Sequence, residues 1–168
     1  MLDSDGDILE IGRLYGGSTV LLLTVANGRH VTSIDLAPQH HPRVEPILRE
    51  SEEKGILSLI VGDSRKYVSG PVGLLFIDGD HTYEGCAADV ITHWPQLKSF
   101  SSAPALAVFH DVVPNDGRKY EGVGAHCPGC TEVCKRLVES GAARVRDTAG
   151  SMMIVEKLKE LPEDLFAK

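Results

Sequence analysis

Residues 76–85 read FIDGDHTYEG, and Asp78, Asp80 and His81 follow directly on an apolar run, 72–77. Two carboxylates and an imidazole at this spacing can hold a cation or move a proton. A strand ending on them presents them at the rim of a sheet, and in open α/β sheets ligands bind outside that rim. A second ionisable pair, His110 and Asp111, ends another apolar run, 105–109.

Three further strand ends carry polar groups. The first apolar run leads into ILEIGRLYGGST, residues 8–19, where Glu10 precedes Gly12, Gly16 and Gly17. The glycines allow tight turning and close approach to a ligand. The helix expected next would aim its free N–H groups back at the loop. The spacing is G-x-x-x-G-G, not the dinucleotide pattern G-x-G-x-x-G, and no phosphate-loop lysine is present. A carboxylate at position 10 disfavours pyrophosphate and suits a cationic or amine-bearing ligand. Asp35 ends the second run, where an acid commonly accepts from ribose hydroxyls. Asp63 and Ser64 follow the third, in VGDS, where Asp63 could receive an adenine amine. Each residue alone reads as a turn or cap. A carboxylate at the tip of all five runs favours a ligand site.

The elements that must position these groups alternate as βαβ units around a parallel sheet. Strands are expected over 7–11, 30–34, 57–61, 72–77 and 105–109. A helix is expected over 18–26, capped by Ser18 and stopped by Asn27-Gly28. A charged helix over 42–54 would turn Val44, Ile47 and Leu48 inward and stop at Gly55. Tyr83, Ala87, Val90, Ile91, Trp94 and Leu97 fall on one helical face. A polar, Gly-rich loop covers 113–129, and Thr131 would cap a helix with Val133, Leu137 and Val138 inward. Two final strands, 143–145 and 152–155, would pair as a hairpin.

The chain has 168 residues and a net charge of −7, with no basic cluster, repeat or low-complexity tract. One domain with a proper core is expected. The charge argues against nucleic acid, and no apolar run is long enough to span a bilayer. The start, MLDSDGD, lacks a signal pattern. A soluble, cytoplasmic protein acting on a small molecule is the expectation. Cys127, Cys130 and Cys134 follow His126 in H-C-P-G-C-x-x-x-C, apart from Cys86. The four soft groups could hold zinc. Zinc sites usually join two separated ligand pairs, which favours ordinary cysteines in a loop bordering the substrate pocket.

Together, ILEIGRLYGGST, SID at 33–35, VGDS, FIDGDHTYEG and VFHD resemble class I S-adenosylmethionine-dependent methyltransferases. Within them the chain is most similar to the small macrocin-type and cephalosporin-biosynthesis-like O-methyltransferases. The resemblance covers nearly the whole chain. It implies a Rossmann-like three-layer sandwich around a mostly parallel seven-stranded sheet with an antiparallel last strand. It implies that Glu10, Gly12, Gly16, Gly17 and Ser18 hold the methionine part of S-adenosylmethionine. Asp35 would take the ribose, and Asp63 and Ser64 would lie by the adenine. Asp78, which also borders the cofactor, would bind a divalent cation with His110 and Asp111, and His81 would be the base. Asp80 reads as a turn residue. This chemistry suits methyl transfer to an alcohol or phenol, a poor nucleophile until deprotonated. Oxygen ligands favour Mg2+, whereas His110 suits Mn2+, iron or zinc better.

The resemblance also implies helices ahead of the first strand that cover the cofactor. The sequence shows none, so a single domain, 1–168, without that lid is expected; either another subunit of a homo-oligomer covers the site, or the chain is a fragment of a longer protein. Two other readings stay open. A nicotinamide-dependent oxidoreductase is disfavoured by the missing glycine fingerprint. A non-catalytic remnant would keep the cofactor pocket alone.

Overall fold

Apolar runs that stop abruptly at polar residues become seven short strands. The computed structural model describes residues 4–101, 103–112 and 127–167. In chain order the elements are β1 (Asp7–Ile11), α1 (Gly17–Val25), β2 (Val31–Asp35), α2 (Glu45–Glu53), β3 (Leu57–Val61), β4 (Val72–Ile77), α3 (Tyr83–His93), β5 (Leu106–Phe109), α4 (Pro128–Glu139), β6 (Ala143–Ala149) and β7 (Met152–Lys157). They form one sheet in the order β3-β2-β1-β4-β5-β7-β6. The first five strands are parallel, and β7 runs antiparallel to both β5 and β6. Strand order reverses at β1, between β2 and β4, which is where such sheets open a binding crevice.

Side-chain alternation assigns the two faces. Ile8, Leu74, Phe76, Leu106 and Val108 pack on one side with Leu22 of α1 and Leu48 of α2. Leu9, Leu75, Ile77, Ala107 and Phe109 pack on the other with Val90 of α3 and Val133 and Leu137 of α4. The central strand β4 is buried along its whole length, as expected where helices cover both faces. Beyond β7 the chain returns over α3. The Trp94 indole N–H donates to the Lys159 carbonyl at 3.0 Å, and the Tyr83 hydroxyl to that of Phe166 at 3.3 Å. Among the described residues no helix is long and apolar enough to cross a membrane.

Several sequence expectations are corrected. The cap of α1 is Gly16, at φ 81, not Ser18, because the left-handed turn starts the helix before Ser18 is reached. Helix α2 begins only at Glu45, and Ile47 is exposed, with Ser51 buried beside Leu48 instead. Ile91 is exposed for the same reason: α3 turns Cys86, Asp89 and His93 inward with Val90. Trp94 leaves the α-helix for a 3-10 turn, Trp94–Gln96. Thr131 lies inside α4, where its hydroxyl returns to the Cys127 carbonyl at 2.9 Å; the cap is Cys127. The hairpin strands are longer than expected, because β6 stays paired across a bulge between Val145 and Asp147. Most of the expected loop 113–129 lies outside the described residues.

Candidate functional site

The crevice begins where β1 and β4 end side by side. Gly12 has φ 88, and a Cβ there would sit 2.1 Å from the Asp78 carbonyl oxygen. Only glycine lets the β1 exit pass so close to β4 in that conformation. The register is held by backbone bonds from Gly12 N–H to Ile34 O at 2.9 Å and from Asp78 N–H to Ile11 O at 2.8 Å.

On the β2 side, Asp35 ties down the glycine loop. Its Oδ2 accepts from the backbone N–H groups of Arg13 and Leu14, both at 2.7 Å, and its Oδ1 from Ala37 N–H at 2.7 Å. A carboxylate offers about four acceptor positions, so one is left. Glu10 lies beneath this loop and is fully buried. Its Oε2 accepts from the Thr19 hydroxyl at 2.6 Å and from the Ser33 hydroxyl, joining β1 to α1 and β2. Burial pushes its carboxyl above the usual range, and the nearby hydroxyls of Ser18, Ser33 and Thr19 oppose this.

Past β3, Asp63 is paired by its neighbour Arg65 through two contacts, Nε at 2.7 Å and Nη2 at 2.9 Å. That bond pulls the Asp63 carboxyl down. The Ser64 hydroxyl donates to Asp89 of α3 at 2.5 Å, and buried His93 meets the Ser64 carbonyl at 3.0 Å. Burial raises Asp89 and lowers His93, so both are biased to their neutral forms.

The ends of β4 and β5 differ in character. Asp78 Oδ1 lies 3.2 Å from His81 Nε2 and 3.2 Å from His110 Nδ1, and His110 Nδ1 lies 3.2 Å from Asp111 Oδ1. Burial of Asp78 works to raise its carboxyl, but the two imidazoles outweigh it and hold the group below the usual range. Asp78 in turn raises both histidines above theirs. His110 Nδ1 and Asp111 Oδ1 are buried and, despite the 3.2 Å contact between them, make no well-aligned hydrogen bond among the described residues. Asp111 has φ 55, a left-handed conformation that aspartate adopts more readily than most residues. The ligand atoms of Asp78, His110 and Asp111 lie within 4.8 Å of one another. Buried donor atoms left over at such a rim fit a divalent cation. Asp80 accepts from Thr82 N–H at 2.9 Å, a turn role, while Thr82 caps α3.

A cavity of about 630 Å³ joins these ends, within the usual range for small-molecule sites. Gly12, Asp35, Asp63, Ser64, Asp78, His81, His110 and Asp111 all line it. Glu10, Gly16, Gly17 and Ser18 do not; they build the floor and the loop behind Gly12. The carboxylate of strand one is therefore not at the rim as expected, because position 10 lies inside β1. Sequence reasoning missed Asp89, which also lines the cavity. Its signal was an acid on the inner face of α3. Cys130 and Cys134 are buried in the core with Cys86, away from a shared ligand set with Cys127; His126 lies outside the described residues.

A family model described as a methyltransferase domain matches residues 9–112, from β1 past the end of β5. No curated protein sequence matches the chain. Among solved structures, the pyocyanin biosynthetic protein PhzM is 13% identical with TM-score 0.60, covering 94% of this chain and 52% of PhzM. Cofactor-bound Rv0187 from MTB is 21% identical with TM-score 0.66, covering 92% and 73%. NcsB1 is an O-methyltransferase from neocarzinostatin biosynthesis, seen with S-adenosyl-L-homocysteine and 1,4-dihydroxy-2-naphthoic acid. It is 16% identical with TM-score 0.58, covering 90% and 49%. The chain thus spans about half the length of PhzM and NcsB1. The shared architecture is the class I methyltransferase fold.

Proposed function

We propose, for a chain that belongs to the methyltransferase domain family, that it binds S-adenosylmethionine and methylates a hydroxyl on a small molecule with help from a divalent cation. One observation carries this reading. The cavity joins a glycine loop and the Asp35 carboxylate at one end to the Asp78, His81, His110 and Asp111 cluster at the other.

The cofactor lies across the ends of β1 to β4. Gly12 gives its methionine part close backbone approach, and the remaining acceptor position of Asp35 takes the ribose. Asp63 and Ser64 frame the adenine. Glu10, Gly16, Gly17 and Ser18 act from behind by setting the loop. Asp78, His110 and Asp111 hold the cation, Mg2+ or Mn2+ or another divalent ion. When bound, it supplies a Lewis acid that eases deprotonation of the acceptor hydroxyl. His81 takes that proton, and Asp78, 3.2 Å from its Nε2, orients the ring. The chain's remaining task is to hold acceptor and methyl group in line. An acceptor such as a sugar, phenol or related natural product fits the cavity size, and NcsB1, bound to a hydroxylated naphthoic acid, supports this class.

Calorimetry with S-adenosylmethionine, with and without Mg2+, tests the reading. Binding is expected in both conditions. No binding in either would overturn it.

A further inference from the structure

Beside the Asp78 cluster lies a second set of ligand atoms of different chemistry. His81, Asp111 and Cys127 each place one within 4.8 Å of the others, and all three residues are partly accessible. They come from three separate elements. His81 lies just before α3, Asp111 just after β5, and Cys127 is the cap of α4. Two contacts fix Cys127 there. Its backbone N–H donates to the Asp111 carbonyl at 2.8 Å. Gly129 brings the start of α4 against the start of α3, since a Cβ there would be 2.4 Å from Tyr83 N and 2.7 Å from the His81 carbonyl. Asp111 Oδ1, buried and with no well-aligned hydrogen bond among the described residues, is available to both sets.

We infer that His81, Asp111 and Cys127 form a site for a thiophilic divalent cation of the zinc class. One imidazole, one carboxylate and one thiolate match the three-ligand pattern of open zinc sites. A thiolate selects zinc-like ions over magnesium, which prefers oxygen. Binding converts the Cys127 thiol to thiolate and releases its proton to solvent. Cys130 and Cys134 take no part, because both are sealed in the core with Cys86. The consequence for catalysis rests on the proposed function: an ion here occupies a nitrogen of His81 and withdraws it as a base.

The test uses Co2+ as a spectroscopic stand-in, with Zn2+ and Mg2+ followed by calorimetry on the intact chain. Co2+ is expected to give a thiolate-to-cobalt charge-transfer band in the near ultraviolet. Cys127→Ser should abolish that band and weaken Zn2+ binding by about 100-fold or more, the scale of losing a ligand rather than its support. Cys134→Ala, which removes a thiol elsewhere, should keep the band. Co2+ binding without the band, a band that survives Cys127→Ser, or Mg2+ binding more tightly than Zn2+ would each overturn the inference. S-adenosylmethionine is titrated into the same samples. Cofactor binding without the cobalt band sinks the cation site alone, whereas a cobalt band without cofactor binding sinks the methyltransferase reading alone.

Discussion

Glu10 lies inside β1 and Asp78 just past the end of neighbouring β4, two positions apart in a register where Glu10 pairs with Phe76. Their environments are opposite. Glu10 is sealed, and the hydroxyls of Thr19 and Ser33 turn it into a clasp between three elements. Asp78 opens onto the cavity and faces the imidazoles of His81 and His110. The same chemical group is structural on one strand and available for chemistry on the next. What separates them is access: Glu10 is sealed beneath the loop, with Oε2 clasped and Oε1 without a partner among the described residues, whereas Asp78 lines the cavity.

The largest expected effect tests the open side. His81→Ala should lower turnover by about 10² to 10⁴, the usual worth of a positioned base, while leaving S-adenosylmethionine affinity unchanged. Full activity in that variant removes the base assignment and with it the functional half of the contrast. Next comes the hinge between the two regions. Gly12→Ala should cost about 3 kcal/mol or more in urea unfolding, since a Cβ there meets the Asp78 carbonyl in a left-handed conformation. A near-neutral result would show that β1 and β4 can slide apart. Glu10→Ala probes the sealed side. It strands two buried hydroxyls and should destabilise by about 1–3 kcal/mol. If stability holds and cofactor binding collapses, Glu10 belongs with Asp78 and the contrast breaks.

The smallest effect is a pH dependence of the metal-free protein. The raised histidines contribute stability that is fully present below their unfolded value of about 6.5 and is lost as pH rises through their folded values. The lowered Asp78 contributes stability above its unfolded value of about 3.9, lost as pH falls through its folded one. Chelator-treated wild type should therefore gain on Asp78→Asn mainly between these limits, by under about 1 kcal/mol because the groups are partly open to water. A difference growing steadily toward alkaline pH would contradict the assignment.

The strands were legible because β-branched and aliphatic runs stop at polar residues, and β1, β3 and β4 begin and end where those runs do. The rim followed, since a strand end in a parallel sheet is a fixed place. Helical faces were less legible. Ile47 and Ile91 have apolar side chains at helical spacing, yet each helix covers only a narrow stripe of sheet, and Ser51, Asp89 and His93 take the inner positions. Glu10 was misplaced by one layer because sequence shows where a strand stops but not how deep its last residues lie. Cys127 was grouped with Cys130 and Cys134 by proximity in sequence. The start of α4 separates them, sending Cys130 and Cys134 into the core and leaving Cys127 beside His81 and Asp111.

The bond from Cys127 N–H to the Asp111 carbonyl has a consequence for engineering. It closes the chain on itself at the two ends of residues 113–126, so the ring is already tied whatever stands between. Doubling the length of such a tied segment costs only about 0.6 kcal/mol in closure entropy. Its anchors, Asp111 and Cys127, stand beside the candidate site and are held by β5 and α4 through their own packing in the core. Exchanging the connection between these anchors for one of different length should therefore leave the fold's stability nearly unchanged in urea unfolding.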